Sequence, residues 1–153
     1  MIKRKENPAK LFLRRYLALS GQVDALQRAI NTAMERAFNT GVTLKEVKVL
    51  SSPAVPDPMA SAVCNAVDAC EMLYQEKEKA TAALREILDA INSLKDERQK
   101  EVLTLRYITG VKYFEIAQKM HYSEQGIYVL HGRALIEINK WIERRAHNDS
   151  NEI

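Results

Sequence analysis

Four side chains near residue 126 carry groups that suit the edges of DNA bases: Glu124, Gln125, Tyr128 and Val129. A glutamine amide can bond bidentately to adenine, a glutamate can accept a hydrogen bond from the cytosine amine, and a valine can pack on the thymine methyl group. Gly126, which lies among them, would let the backbone approach DNA closely. We therefore take these four residues as candidate base-reading positions.

A second set of side chains could hold the DNA backbone. Phosphate contacts fix the position of a protein on DNA, but they carry no base information. Cations, hydroxyl groups and an imidazole can make such contacts. The candidates are Lys112, Tyr113, Ser123, His131 and Arg133.

Catalysis and metal binding find little support in the sequence. It contains no Gly-rich phosphate loop, no nucleophile elbow and no His-Glu-x-x-His motif. The carboxylates are spread over what look like solvated helix faces. The three histidines have no cysteine or carboxylate partner at ligand spacing. We therefore expect no catalytic residue, no metal site and no cofactor.

The candidate DNA-binding residues lie on a predicted helix-turn-helix. Residues 113–120 are predicted as a short helix, His121 and Tyr122 as a tight turn, and Ser123 as the N-cap of a longer helix. Ala117 is the small residue that closely crossing helices require. His121 stands where a glycine is usual, because this turn often needs a left-handed residue. The apolar positions between the two helices are filled by Ile116, Met120, Ile127 and Leu130.

An amphipathic helix over 95–109 is expected before this motif, ended by Gly110. In the longer helix one face carries Ala134, Leu135, Ile138 and Trp141 in addition to Ile127 and Leu130. We assign 95–147 to a C-terminal helix-turn-helix domain and 148–153 to a disordered tail.

The composition favours long helices throughout. The chain has 5 glycines and 4 prolines among 153 residues, about half the usual share. Residues 59–153 contain no proline. A β-sandwich or barrel is therefore not expected, and the fold class is predicted to be all-α.

Two stretches before residue 95 carry apolar residues alternately three and four positions apart, at 12–37 and 63–94. An average repeat of 3.5 residues is typical of coiled-coil packing. We predict that residues 1–94 form an antiparallel coiled-coil-like hairpin that mediates self-association, as a homodimer or a higher homo-oligomer. Its crossover loop would span 40–58, with an extended piece at 46–50.

Charge, hydropathy and cysteine usage limit the cellular compartment and the partners that the chain is expected to have. The net charge is only +3, which permits a polyanionic partner without demanding one. No apolar run approaches the ~18 residues of a membrane span, and no signal peptide is visible. Cys64 and Cys70 cannot bridge within one helix, so a buried, reduced pair is expected. These features predict a cytoplasmic protein without a membrane partner.

Residues 98–138 resemble region 4 of bacterial sigma factors. The resemblance lies in RQKEVLTLRYITGVKYFEIAQKMHYSEQGIYVLHGRALIEI. It comprises an Arg-x-x-x-Val-Leu-x-Leu-Arg-Tyr helix, a Gly turn, an aromatic-x-Glu-Ile-Ala helix, a Ser cap and a final His-x-x-Ala-Leu. The resemblance implies a helix-turn-helix that binds double-stranded DNA.

The whole chain resembles a narrower family, the small phage transcriptional regulators of the ArpU/RinA type. It shares with them a helical hairpin, a Val-Lys-Val-Leu-Ser-Ser crossover and the LRYITG…YFEIAQKMHYSEQGIYVLHGRAL segment. The resemblance implies a DNA-binding activator of phage late or packaging genes. Two alternatives stay open: the DNA-recognition (small) subunit of a phage packaging terminase, and a protein-only adaptor that binds RNA polymerase.

Overall fold

The computed structural model of the protein describes residues 6–42 and 58–149. Over these residues it contains five α-helices and one π-helical turn, and no strand, which confirms the all-α class. The elements in chain order are α1 (Pro8–Val42), α2 (Pro58–Asn92), α3 (Glu97–Leu103), the π-helical turn (Thr104–Ile108), α4 (Tyr113–Met120) and α5 (Glu124–Asp149). No helix within 6–42 or 58–149 is both long enough and apolar enough to cross a membrane.

Some element boundaries differ from those predicted. α1 continues to Val42 and α2 already begins at Pro58, where a proline fits because the first helical turn needs no N–H bond at that position. The predicted extended piece at 46–50 lies outside the described residues. Asn148 and Asp149, predicted as disordered, belong to α5, because nothing in its last turns breaks the backbone hydrogen-bond ladder. The rest of the predicted tail lies outside the described residues.

The chain divides into two compact units. The middle unit is Gly21–Thr81, and the composite unit combines the residues before Gly21 with those after Thr81. The composite unit therefore contains the start of α1 and residues 82–94 in addition to the helix-turn-helix region predicted over 95–147.

The middle unit contains most of α1 and most of α2. Ile30 and Ala80 are buried there. The Nζ of Lys77 in α2 donates a hydrogen bond to Oε1 of Gln27 in α1. The expected buried cysteine pair is not found: both cysteines are free, but Cys64 is exposed and Cys70 only half-buried, because their side of α2 is not covered in the described structure.

The composite unit has a core drawn from four helices and the π-helical turn. α1 and α5 meet at Phe12 and Trp141, whose ring centroids are 5.9 Å apart. Side chains from the start of α1, the end of α2, α3, the turn and the middle of α5 form one buried cluster. Its members include Ala9, Leu13, Ile87, Ala90, Ile91, Leu94, Leu103, Tyr107, Ala134, Leu135 and Ile138.

The segment predicted as one helix over 95–109 is divided into α3 and the π-helical turn. Asp96 caps α3, because its side chain accepts a hydrogen bond from the N–H of Arg98. The N–H of Thr109 then bonds to the carbonyl of Thr104 at 3.0 Å, five residues back, which closes the wider turn. Tyr107 in this turn is buried. Gly110 follows with a φ of +76°, a conformation that favours glycine.

Candidate nucleic-acid interface

The helix-turn-helix is closed by its own apolar cluster. Val102, Ile116, Ala117, Ile127 and Leu130 are buried against one another, and Met120 packs on them half-buried. The predicted inward positions of α4 and α5 are thus confirmed. The small side chain of Ala117 is 5% exposed at the place where the two helices pack.

The turn between α4 and α5 uses a left-handed histidine. His121 has φ 58° and ψ 41°, the conformation for which glycine is usual. The N–H of Tyr122 bonds to the carbonyl of Ala117 at 3.0 Å and so satisfies one of the last carbonyls of α4. Histidine in place of the usual glycine therefore keeps the geometry of the turn, but its left-handed backbone conformation is strained.

Ser123 is the N-cap of α5, as predicted. Its Oγ accepts a hydrogen bond of 3.0 Å from the N–H of Gly126. A Cβ added at Gly126 would lie 3.3 Å from this oxygen and 3.4 Å from Cδ1 of Tyr122. The cap and the neighbouring ring thus account for a small residue at 126 without any DNA contact.

The candidate base-reading residues lie together on the outer side of the first two turns of α5. Tyr128 is 49% exposed and Val129 44%, and Glu124 and Gln125 are exposed as well. Ile127 on the opposite side is fully buried. The first two turns of α5 therefore present a mixed polar and apolar surface outward and an apolar one inward.

One candidate base reader is held by an aromatic contact across the motif. The rings of Tyr113 in α4 and Tyr128 in α5 lie 4.9 Å apart at 42°. The guanidinium of Arg106 also packs on the ring of Tyr113, with its Cζ 4.7 Å from the ring centroid. Arg106 itself is fixed by a hydrogen bond of 3.1 Å from Nη1 to the carbonyl of Val111. The rotamer of Tyr128 is thus restrained from one side by Tyr113.

His131 does not lie on the surface as predicted. It was a candidate phosphate contact, but it is only 7% exposed. Its Nε2 is 2.9 Å from Oη of Tyr107 and 3.2 Å from Oη of Tyr113. Burial, aided by the charges of Lys10 and Arg106, lowers the pKa of His131 from 6.5 to about 4. His131 is therefore a neutral, internal residue that joins α5 to the π-helical turn and α4.

The other candidate phosphate contacts differ in exposure. Lys112, next to the N-terminus of α4, and Arg133, on α5, are exposed, and neither forms an ion pair with another residue of 6–42 or 58–149. Tyr113 is half-buried, and Ser123 is exposed while its hydroxyl is used in the cap. Within the described part of the chain no group of histidine, cysteine and carboxylate side chains could hold a metal ion.

Three cations near Tyr113 were not among the predicted site residues, and two of them, Lys10 and Arg14, lie on α1. Lys10, Arg14 and Arg106 line a single cavity with Tyr107 and Tyr113. The i, i+4 spacing of Lys10 and Arg14 would have indicated that they share one face of α1. Nothing in the sequence indicated that this face meets the π-helical turn.

Comparison with known families agrees with this geometry. Residues 84–138 match the family model for sigma-70, region 4. The matched range runs from the last turns of α2 to the middle of α5, and so includes α4, the first half of α5 and the apolar cluster between them. This part of the chain is a sigma region 4-like helix-turn-helix, and that family is a DNA-binding domain rather than a catalytic one. No curated protein and no solved structure gives a significant match to the chain.

Proposed function

We propose that this protein is a sequence-specific transcriptional regulator that places the start of α5 in the major groove of double-stranded DNA. The observation that carries the proposal is the exposure of Gln125, Tyr128 and Val129 on the first two turns of a capped second helix. In helix-turn-helix proteins those turns meet base edges. The match of 84–138 to sigma-70 region 4 supports the same function.

The side chains on this surface suit direct readout. Gln125 supplies an amide that can pair with adenine, and Glu124 supplies an acceptor for the cytosine amine. Val129 can pack against a thymine methyl group. Tyr128 adds a large ring whose position is restrained by Tyr113 at 4.9 Å. A restrained side chain loses less conformational entropy when it binds, which favours specificity.

Phosphate contacts would come from two cations of the motif, one just before α4 and one on α5. Lys112 and Arg133 are exposed and form no ion pair within the described structure, so their charges are free for the backbone of DNA. The hydroxyls of Ser123 and Tyr113 are the neutral candidates. His131 is left out of this set because it is buried.

We further propose that the protein activates phage late or packaging genes as a homodimer or a higher homo-oligomer. Support for self-association comes from one face of α2, where Val63, Val67 and Tyr74 are 38%, 56% and 43% exposed. These positions are four and seven residues apart and so form one apolar stripe on a helix. A second copy of the chain could cover it, and dimers are favoured geometrically by palindromic or repeated sites.

A second candidate function is an adaptor that binds bacterial RNA polymerase with little affinity for DNA. It is favoured by the charge of residues 95–153, which carry 10 basic and 9 acidic side chains. Such a balance gives little general attraction to a polyanion.

Selection from a pool of randomised duplexes tests the two functions against each other. The full chain should enrich one motif, and a labelled duplex with that motif should bind far more tightly than a scrambled one. If no motif is enriched and purified RNA polymerase still binds the chain, the adaptor is the correct function. A terminase subunit would instead bind and stimulate a packaging ATPase.

A further inference from the structure

Three cations converge on one cavity in the composite unit. The cavity measures about 190 Å³ and is lined by Lys10 and Arg14 of α1, Arg106 and Tyr107 of the π-helical turn, and Tyr113 of α4. Leu17 and Gly110 complete the lining, which contains no carboxylate. The positive charges of the lining thus come from two segments that are far apart in sequence, the start of α1 and the π-helical turn.

Part of this positive charge has no counter-charge in the structure. Lys10 is half-buried and forms no ion pair with any residue of 6–42 or 58–149. Lysines are rarely withdrawn from water without a partner. Arg106 uses Nη1 on the carbonyl of Val111, and a guanidinium has further N–H groups to donate. Arg14 shares its charge with Glu6, which lies outside the lining of the cavity.

The positive charges around the cavity act on the pKa values of two neighbouring side chains, His131 and Tyr107. The charges of Lys10 and Arg106 add to burial in lowering the pKa of His131. Burial raises the pKa of Tyr107 overall, while the positive charges of Arg106 and Arg14 oppose this increase. A positive potential therefore reaches the interior side of the cavity.

We propose that this cavity binds a phosphate-type oxyanion, held by Lys10, Arg14 and Arg106. Arginine donates two parallel N–H groups to such anions, and lysine adds a point charge. The volume is below the roughly 300–1,000 Å³ of pockets for drug-sized ligands, so the site suits a single phosphate group and not a whole nucleotide. The group could belong to a free ion or to a DNA strand, since the chemistry of recognition is the same.

A bound oxyanion would link two of the three elements that meet at this cavity. It would bridge α1 to the π-helical turn, beside Tyr113, whose ring contacts Tyr128. Occupancy would therefore stabilise the composite unit and the position of a proposed base reader. The proposal does not depend on DNA binding, because the free ion is one of its two sources.

Titration of the full chain with inorganic phosphate tests the site, with chloride at equal ionic strength as the reference. We expect a saturable heat by calorimetry and a rise in melting temperature with phosphate concentration, as for any ligand that binds only the folded state. Lys10→Gln and Arg14→Gln should each weaken phosphate about tenfold or more, since each removes a charge-assisted hydrogen bond. Arg15→Gln is the matched control, because Arg15 is an exposed neighbour on α1 outside the cavity lining, and its affinity should be unchanged.

Circular dichroism without phosphate verifies that each variant is folded. The proposal is wrong if no saturable binding appears up to tens of millimolar phosphate, or if Lys10→Gln and Arg15→Gln bind phosphate equally well.

A short DNA duplex then distinguishes the two sources of the oxyanion. If a DNA phosphate fills the cavity, inorganic phosphate competes with the duplex and Lys10→Gln reduces the salt slope of DNA binding by about one. If a free ion fills it, the phosphate heat persists in the DNA complex. A chain that does not bind DNA at all would leave the phosphate titration intact.

Discussion

The side chain of Asn139 in α5 donates a hydrogen bond of 3.0 Å from Nδ2 to Oδ1 of Asn7, a residue 132 positions earlier. The N–H of Ala9 completes the arrangement, since it lies 3.0 Å from Oδ1 of Asn7 and 2.9 Å from Oδ1 of Asn139. The first turn of α1 is thus capped by its own Asn7 and by the last helix. This pair orients the start of α1 against the helix that carries the candidate base readers.

Replacement of Asn139 by alanine should lower the free energy of unfolding by about 1–3 kcal/mol, because the partly buried amide of Asn7 and the N–H of Ala9 each lose a partner. Urea unfolding followed by the fluorescence of Trp141 measures the change. Asn148→Ala is the matched control on an exposed position of α5 and should cost little. Equal losses in the two variants would show that the Asn7–Asn139 contact contributes nothing specific.

Replacement of His121 by glycine should stabilise the protein by about 0.5–1 kcal/mol, since a non-glycine residue is strained at φ 58°. The gain is less than the full strain because glycine also raises the entropy of the unfolded chain. Gly110→Ala should instead lower the stability of the protein. Its φ is +76°, and its new Cβ would make only ordinary contact with Leu17 at 3.7 Å, so the loss would come from the backbone. Thermal melts of both variants test the pair, and a lower melting temperature for His121→Gly would contradict it.

Acid should destabilise the protein through His131. Its pKa is about 4 in the folded protein against an ordinary 6.5, so the folded state resists protonation. The stability that His131 contributes is complete above pH 6.5 and is lost as the pH falls from 6.5 towards 4, by at most about 1.4 kcal/mol per pH unit. The surrounding groups are Lys10, Arg106, Tyr107 and Tyr113.

Urea unfolding at several pH values between 4 and 7 measures this slope. His131→Gln removes the titrating group but keeps a polar side chain, so its slope over the same interval should be flatter than that of the wild type. Asp96 and Glu137, whose pKa values are lowered by Arg98 and Lys140, contribute mainly below this interval. Identical slopes for variant and wild type would assign the acid sensitivity to other groups.

Two substitutions on α5 should separate base reading from backbone contact, on the proposed function. Gln125→Ala should lose about 1–3 kcal/mol of discrimination at one base pair, while Arg133→Ala should weaken all duplexes about equally. Titration of duplexes with single base changes at each position of the selected motif measures both effects. Gln118→Ala, an exposed glutamine of α4, is the control for Gln125. A uniform loss from Gln125→Ala together with an altered base preference from Arg133→Ala would reverse the proposed docking.

Self-association should depend on the apolar stripe of α2. Val67→Asp places a charge on an exposed residue and should reduce the mass seen by sedimentation at tens of micromolar, without loss of helix content. Ser61→Asp lies on the other side of α2 and should leave the mass unchanged. A monomeric wild type, or equal effects of the two substitutions, would exclude this stripe as the interface. Ile87 is unsuitable for this test, since it is 1% exposed within the core and its replacement would unfold the composite unit.

The parts of the fold that depend on local pattern could be predicted from the sequence. The 3.5-residue repeats placed α1 and α2, and the apolar spacing of Ile127 and Leu130 identified the inward face of α5. Ser123 was identified as a cap from residue type alone. Each of these features is fixed by residues within two or three turns of one another, and a sequence displays such relations directly.

Contacts between distant segments could not be predicted. The π-helical turn has no compositional signal, and it brings Tyr107 to within 2.9 Å of His131. Without knowledge of that contact, His131 looked like any polar residue near the recognition surface. The docking of Lys10 and Arg14 beside Arg106 likewise depends on how α1 packs, which the periodicity of α1 alone does not determine.

The pairing of Asn7 with Asn139 has a consequence for the order of folding. Residues 21–81 are contiguous, so they can complete their contacts as soon as the ribosome has released them. The composite unit must instead wait for α5, because Ala9 and Leu13 share their cluster with Ala134 and Ile138. Its core therefore depends on contacts of high sequence separation, which form slowly. During synthesis the start of α1 remains without its partners until almost the whole described chain exists, so the core of the composite unit is completed last.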